Sequence, residues 1–342
     1  MNRRIEIIGG GLAGLSLGIA LRKRGVDATI WESSRYPRHR VCGEFISGVN
    51  SETLDSIGIA DLMADAPVLR SSAWWLNDQP LFSADLPEPA RGLSRFELDL
   101  RLARRFQELG GDLKEGERYI DDDRLREGLV WATGREPAKS NLLGLSMHLV
   151  GFDLKADLEM HFSSGGYAGL CAIEGGRVNL SALFHRDPAV KARRKDLFQA
   201  YLQSCGFQGL IQRIANSEID QDSHAAVSSV PVGSCRSASI DEPCAIGDHF
   251  GAMGPFTGNG MSLAFESAAA AADPLAQFAS GELDWDQAKL ALLTKLRSQF
   301  HRRLSASTYL HKALLNPVGL RGISMLGRAG LLPFRFLYRQ VR

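Results

Sequence analysis

Residues 5–14 read Ile5-Glu6-Ile7-Ile8-Gly9-Gly10-Gly11-Leu12-Ala13-Gly14. A short apolar run breaks into a glycine turn. From Leu12 onward the apolar positions take up helical spacing, which stops at Gly25, a natural C-terminal cap. A second strand over 27–32 ends in Glu32, which makes a βαβ unit of about thirty residues. Within it, Gly9-x-Gly11-x-x-Gly14 puts three glycines where a diphosphate requires them. The first permits the tight turn, the second lets backbone approach the pyrophosphate, and the third lets helix pack on strand. The unpaired N–H groups and partial positive charge at the helix start favour the phosphates. Glu32, 18 residues after Gly14, is placed to accept hydrogen bonds from an adenosine ribose, and its charge opposes a 2′-phosphate there.

The 342 residues are enough for more than one ordinary domain, and 44% hydrophobic with 23% charged is a globular balance. Five cysteines without a CxxC pair argue against a zinc site or a disulfide framework and for a reducing compartment. No apolar stretch reaches membrane-spanning length and no signal-peptide pattern precedes the first strand, so a cytoplasmic location, peripheral at a membrane if associated with one, is expected. The net charge of +1 conceals an asymmetry. Of the 40 Lys and Arg, 11 lie after Asp286, where no acid follows, so the preceding residues carry 29 cations against all 39 acids, a net of −10.

Helical spacing over 98–109 precedes strands at 113–120 and 129–134. Between 150 and 184, alternation broken by glycine-bearing turns predicts an antiparallel meander. A helix is expected over 191–205, a strand at 244–248, a small-residue helix at 260–272, and mostly helix after Trp285. The fold class is therefore α/β: a Rossmann-type domain built from 1–70, 91–141 and 236–290, an antiparallel-sheet substrate domain from 71–90 and 142–235, and a C-terminal helical segment, 291–342.

A second glycine-rich segment lies far along the chain: Gly247-Asp248-His249, Pro255, then Gly258-Asn259-Gly260-Met261. It resembles the segment with which glutathione-reductase-type flavoproteins, especially aromatic hydroxylases and geranylgeranyl reductases, grip FAD. The resemblance implies that Asp248 holds the ribityl chain, and that the helix starting at Gly260 points its N-terminus at the flavin pyrimidine edge. A positive dipole there stabilises the reduced ring. Arg40, Cys42 and Gly43 match the "C-G-x-x-x-S" segment that runs beside the flavin in geranylgeranyl reductases, and Arg95 matches an arginine near the diphosphate or ribityl chain. Thr133 and Gly134 close the third strand with a familiar flavoprotein ending. The cofactor set is completed by Gly9, Gly11, Leu12, Ala13, Gly14, Glu32, Gly247, Pro255, Gly258, Asn259 and Met261. No metal ligands are nominated.

Two departures stand out. The third strand ends Thr133-Gly134-Arg135, without the Asp-Gly pair of aromatic hydroxylases, and the hairpin before it is shortened to 121–128. The aromatic substrate segment of geranylgeranyl reductases keeps only Tyr167 here, and Trp74-Trp75 does not match the tryptophan motif of flavin halogenases. The resemblance implies an FAD-dependent oxidoreductase, with NAD(P)H or another electron donor, that reduces or dehydrogenates a small apolar, lipid-, isoprenoid- or polyketide-like substrate. A flavin-dependent hydroxylase is the alternative, and an electron-carrying or non-catalytic flavoprotein a further one. Cys42, Tyr167 and His249 are the candidates for direct chemistry, beside the blander readings of Cys42 as a packed small hydrophobe, Tyr167 as a packed aromatic and His249 as a loop residue. The basic tail has three readings: it packs on the acidic body, it meets an anionic membrane surface, or it docks an acyl carrier protein. The body's net charge argues against nucleic acid.

Overall fold

The computed structural model describes residues 3–120, 126–135, 139–231, 234–235 and 239–342. The chain opens with β1 (Ile5–Ile8), α1 (Leu12–Lys23) and β2 (Ala28–Glu32), followed by β3 (Phe45–Ile46) and α2 (Ser51–Ile57). A long hairpin, β4 (Val68–Leu76) and β5 (Gln79–Gly92), leads into α3 (Arg95–Glu108), β6 (Asp112–Glu115) and β7 (Leu129–Trp131). Then come β8 (Leu142–Val150), β9 (Leu158–Ser163), β10 (Gly166–Ala172), β11 (Arg177–His185), α4 (Leu197–Ser204), α5 (Gln208–Ile214) and β12 (Glu218–Ser228). The short strands β13 (Ser234–Cys235), β14 (Cys244–Ala245) and β15 (Gly251–Ala252) precede four helices: α6 (Gly260–Ser280), α7 (Trp285–Leu315), α8 (Pro317–Arg328) and α9 (Phe334–Gln340).

Two sheets dominate. The first is wholly parallel, in the order β14-β7-β1-β2-β6, with Ile5 opposite Ala28 and Ile7 opposite both Ile30 and Val130. Parallel strands are apolar throughout because helices cover them; Ile5, Ile7, Ile30 and Val130 are fully buried, and α1 packs against α3 and α6. The second sheet runs β12-β8-β11-β10-β9-β4-β5-β3, antiparallel except where β4 lies parallel to β9. Side chains alternate across it. Leu143, Leu145, Met147 and Leu149 of β8 join Phe184, Phe198 and Tyr201 in a core beneath α4 and α5. Their neighbours Gly144, Ser146 and His148 point the other way, toward the first domain.

Several boundaries differ from the sequence reading: the strands expected at 129–134 and 244–248 end at Trp131 and Ala245, and the helix expected over 98–109 starts at Arg95. The strand expected over 113–120 ends at Glu115, because Gly116 turns at φ +80 and both Gly116 and Glu117 donate their amides to the Glu32 carbonyl. The helix expected over 191–205 begins only at Leu197. Lys191, Arg193, Arg194 and Lys195 would crowd positive charge at a helix N-terminus, where the dipole opposes it. The small-residue helix runs on past 272 to Ser280. Of the shortened hairpin at 121–128, residues 121–125 lie outside the described residues.

The tail completes the core. Asp284 and Gln287 form a capping box at the start of α7, whose buried stripe Leu292, Leu296, Phe300, Leu304, Ser307, His311 and Leu314 repeats every three or four residues. His311 is fully buried, and its Nδ1 accepts a hydrogen bond from the Phe256 amide at 3.4 Å. Burial, with Arg135 and His185 nearby, pushes its pKa down from 6.5 to about 4. Below pH 6.5 the unfolded chain therefore takes up a proton that the folded protein refuses. The contribution is intact above pH 6.5 and is lost as pH falls toward about 4, a difference of about 3 kcal/mol. Urea unfolding across that window should show His311→Gln losing less stability than the parent; parallel curves would refute this.

Candidate functional site

Between the two sheets lies a cleft of about 1500 Å³. One end is the glycine turn. Gly9 has φ +106, and a Cβ there would sit 2.5 Å from the Ala132 carbonyl oxygen. A Cβ on Gly14 would fall 2.0 Å from the Gly9 carbonyl oxygen. Gly11, the N-cap of α1, is different: it makes no side-chain cap, and a Cβ on it would meet nothing within 4 Å. Its empty side faces the cleft, beside Leu12 and Ala13. This is a helix N-terminus whose amide donors no capping side chain satisfies.

Glu32 closes the turn at the end of β2. Its Oε2 accepts from the Gly10 amide at 3.0 Å and its Oε1 from the Ser34 amide at 2.8 Å, while Arg38 approaches Oε1 at 2.9 Å. Arg40 bridges Glu32, at 3.7 Å, and Asp99, at 3.4 Å. Arg95 clamps the fully buried Asp99 with two bonds of 2.7 and 2.8 Å. Burial raises the Asp99 pKa while Arg95 and Arg38 pull it down. The three arginines and two carboxylates thus form one buried lattice along a wall of the cleft.

Farther along the same cleft wall, Asp248, whose neighbour Gly247 packs on Ala13, accepts at Oδ2 from Arg135 Nε at 2.8 Å, and Arg135 also donates to the carbonyls of Pro231 and Met253, both at 3.2 Å. Asp248 Oδ1 is buried with no hydrogen-bond partner among the described residues. An open helix N-terminus and an orphaned carboxylate oxygen in one cleft fit a ligand in which a diphosphate adjoins a polyol.

Of the residues nominated from sequence, Gly9, Gly11, Leu12, Ala13, Glu32, Arg40, Cys42, Gly43, Arg95, Thr133, Gly134, Asp248, Pro255, Gly258, Gly260, Met261 and Tyr167 all line this one cleft. Four do not. Gly14 and Gly247 serve packing: Gly14 lies against Gly9, and Gly247, at φ +60, is so close to Ala13 that a Cβ would stand 2.8 Å from the Ala13 Cβ. Asn259 turns its side chain away, donating to the Val341 carbonyl and accepting from Arg342. His249 lies behind the wall, bonded to Thr133 Oγ1 at 2.9 Å and stacked on Trp131. Burial pushes the Cys42 thiol pKa up despite the counteracting Arg95, and so opposes a thiolate there.

Sequence reasoning missed Glu44 and Arg135. Glu44 lines the cleft at φ +54, a conformation non-glycine residues seldom adopt. It accepts from the Arg95 amide at 2.8 Å and pairs with His148 Nε2 at 2.8 Å. Burial raises its pKa and His148 opposes the rise. Half-buried His39 stands edge-on to His148. Neither residue belongs to a spaced motif; Glu44 adjoins the quoted Cys42-Gly43 pair, and only the partner 104 positions away gives it meaning.

Residues 3–119 match the FAD binding domain family. The chain is an FAD-dependent flavoprotein. No curated protein matches the whole sequence. Among solved structures, Pseudomonas aeruginosa PqsL in complex with 2-aminobenzoylacetate is 16% identical over 94% of this chain and 99% of its own, with a TM-score of 0.73. The flavin-dependent brominase Bmp2 is 18% identical over 98% of each chain, with a TM-score of 0.71. A 2-methyl-3-hydroxypyridine-5-carboxylic acid oxygenase is 16% identical over 100% of this chain and 99% of its own, at 0.68. At such identities the likeness is one of fold.

Gly9→Ala and Gly11→Ala should part company. The first drives a methyl into backbone and should destabilise the fold. The second should fold normally yet hold FAD roughly tenfold or more weakly, by displacing charge-assisted contacts to phosphate. Equal FAD content in Gly11→Ala and parent would refute the placement. Asp99→Ala leaves Arg95 buried without its counter-charge and should cost about 3–5 kcal/mol in denaturant unfolding.

Proposed function

We propose that the protein is a flavin-dependent monooxygenase that places one oxygen atom on a small apolar substrate. The supporting observation is a second cavity of about 120 Å³ that meets the large cleft at Gly43, Phe45, Tyr167, Ser181, Pro255 and Gly258. Its walls are apolar: Trp74, Met160 and Phe256 on one side, Leu314, Leu332 and Leu337 from the tail helices on the other. Such a compartment excludes water from whatever reacts at the junction. FAD, with NAD(P)H as the expected electron donor, supplies the redox chemistry and dioxygen activation when bound. The named oxygenase and brominase among the structural neighbours favour this reading over the reductase or dehydrogenase suggested by the Cys42-Gly43 segment.

The chain's own contribution is positioning and proton custody. Glu32 and the open start of α1 take the adenosine ribose and diphosphate; Asp248, held by Arg135, takes the ribityl chain with its free Oδ1. Burial pushes the Tyr167 pKa up, so its hydroxyl stays protonated; it has no hydrogen-bond partner among the described residues and can donate to a substrate oxygen. Glu44 and His148 can hold a proton between Oε2 and Nε2 beside the cleft.

The purified protein, supplied with NADPH, labelled dioxygen and apolar aromatic or polyketide-like compounds, should consume NADPH and give product with one labelled oxygen. Product made anaerobically by double-bond reduction would favour a reductase instead. Bromide incorporation would favour a halogenase, and reduction and reoxidation without turnover an electron carrier. Trp74→Ala should raise KM for the substrate while leaving FAD content unchanged; a loss of FAD in parallel would remove Trp74 from the substrate side.

A further inference from the structure

The tail helices have two working faces. Inward, Ile323, Leu332, Phe334 and Leu337 close the apolar cavity. Outward, Val318 and Met325 are each 74% exposed, Leu331 69% and Phe336 60%. Along α8 the exposed stripe reads Val318, Arg321, Met325, Arg328, at spacings of three, four and three, which is one helix face. Arg335 and Arg339 flank Phe336 on α9 in the same alternation. Scattered exposed aliphatics need no explanation, but a contiguous apolar patch on a folded protein marks a contact surface.

The charges identify the partner's chemistry. Arg321, Arg328, Arg335, Arg339 and the exposed Lys312 make no ion pair among the described residues. Some arginines elsewhere are matched, Arg101 with Asp65 and Glu97 and Arg105 with Asp61, while the exposed Arg70, Arg104, Arg186, Arg193 and Arg194 are as unpaired as those of the tail; what sets the tail apart is unpaired arginine beside exposed Met325 and Phe336. No acid occurs after Asp286 to pair with the tail cations. The complement of this face is therefore both apolar and polyanionic. A nucleic acid offers no apolar layer for Met325 and Phe336.

We propose that α8 and α9 seat the protein on an anionic lipid bilayer. Val318, Met325, Leu331 and Phe336 enter the boundary between headgroups and acyl chains, roughly 5–10 Å deep for such helices. The four arginines lie at lipid phosphates. The contact is peripheral, since no helix among the described residues is long and apolar enough to cross a membrane. Because the same helices roof the cavity, an apolar substrate dissolved in the bilayer reaches it without crossing water. That last clause rests on the proposed function; the docking rests on the surface alone.

The FAD-loaded full chain should float with phosphatidylcholine vesicles containing phosphatidylglycerol, not with phosphatidylcholine alone, and raised salt should release it. The pair Arg321→Gln and Arg328→Gln should weaken binding roughly 30-fold, about fivefold for each arginine. The pair Met325→Glu and Phe336→Glu should abolish it, with FAD absorbance retained in every variant as proof of folding. Failure to float, equal binding to neutral vesicles, or variants that bind like the parent would overturn the proposal. So would capture of an acidic acyl carrier protein without vesicle binding. Flotation needs no turnover, so its outcome is independent of the monooxygenase test.

Discussion

How tightly the first turn of α1 lies against the strand that feeds it governs most of what else the protein can be. Gly14 touches the Gly9 carbonyl and Gly9 touches Ala132, both at distances that exclude a Cβ. That contact brings the helix N-terminus to the sheet edge with its amides directed at the cleft, so the dipole and the donors act on the same spot. It also seats Ala13 where Gly247 can pack against it. Through that pair of small residues, Asp248 is delivered to a cleft whose glycine turn lies more than 200 residues earlier in sequence. A larger residue at any of these positions would part Asp248 from the turn before it disturbed a ligand directly.

One wall of the cleft is ionic, which is costly unless every charge is matched. Asp99 is wholly buried, and removing it from water opposes folding until Arg95 and Arg40 approach. The lattice returns little net stability, but it fixes the orientation of the arginines facing the cleft, and Glu32 is held the same way by Gly10, Ser34 and Arg38. A carboxylate already bonded to amides is held stationary. A diphosphate arriving beside it meets arginines that cannot swing away, an arrangement whose charge is set before the ligand arrives.

What was legible in the sequence follows from the range of the interactions involved. The glycine turn, Glu32 and the parallel sheet are written within thirty residues, where spacing reports geometry. Asp248 was legible through its glycine-rich neighbours. Glu44 with His148, Arg135 with Asp248, and the lining contributed by α8 and α9 were not, because each is defined by a partner distant in sequence and no local periodicity encodes the pairing. The parallel pairing of β4 with β9 inside an otherwise antiparallel sheet was hidden for the same reason. Asn259 shows the converse: a residue inside a recognisable turn whose side chain is claimed by the chain terminus, which no spacing within the turn could reveal.

The tail shows how one periodicity can serve two surfaces. A helix that only completed a core would be apolar on one face and mixed in charge on the other. On α7 that holds in part, since Arg303 pairs with Glu266 and Lys289 reaches a backbone carbonyl. On α8 and α9 it fails: the buried face is apolar, and the exposed face alternates apolar residues with arginines that make no ion pair among the described residues, even though the Glu88 backbone accepts from Tyr338. No acid of the body comes within ion-pair distance of Arg321, Arg328, Arg335 or Arg339 among the described residues. Exposed apolar area and unpaired charge of a single sign each oppose solubility or association with like molecules. Their coincidence on the two helices that close the apolar cavity makes the outer face part of the site's architecture, since whatever covers it stands directly over the chamber those helices roof.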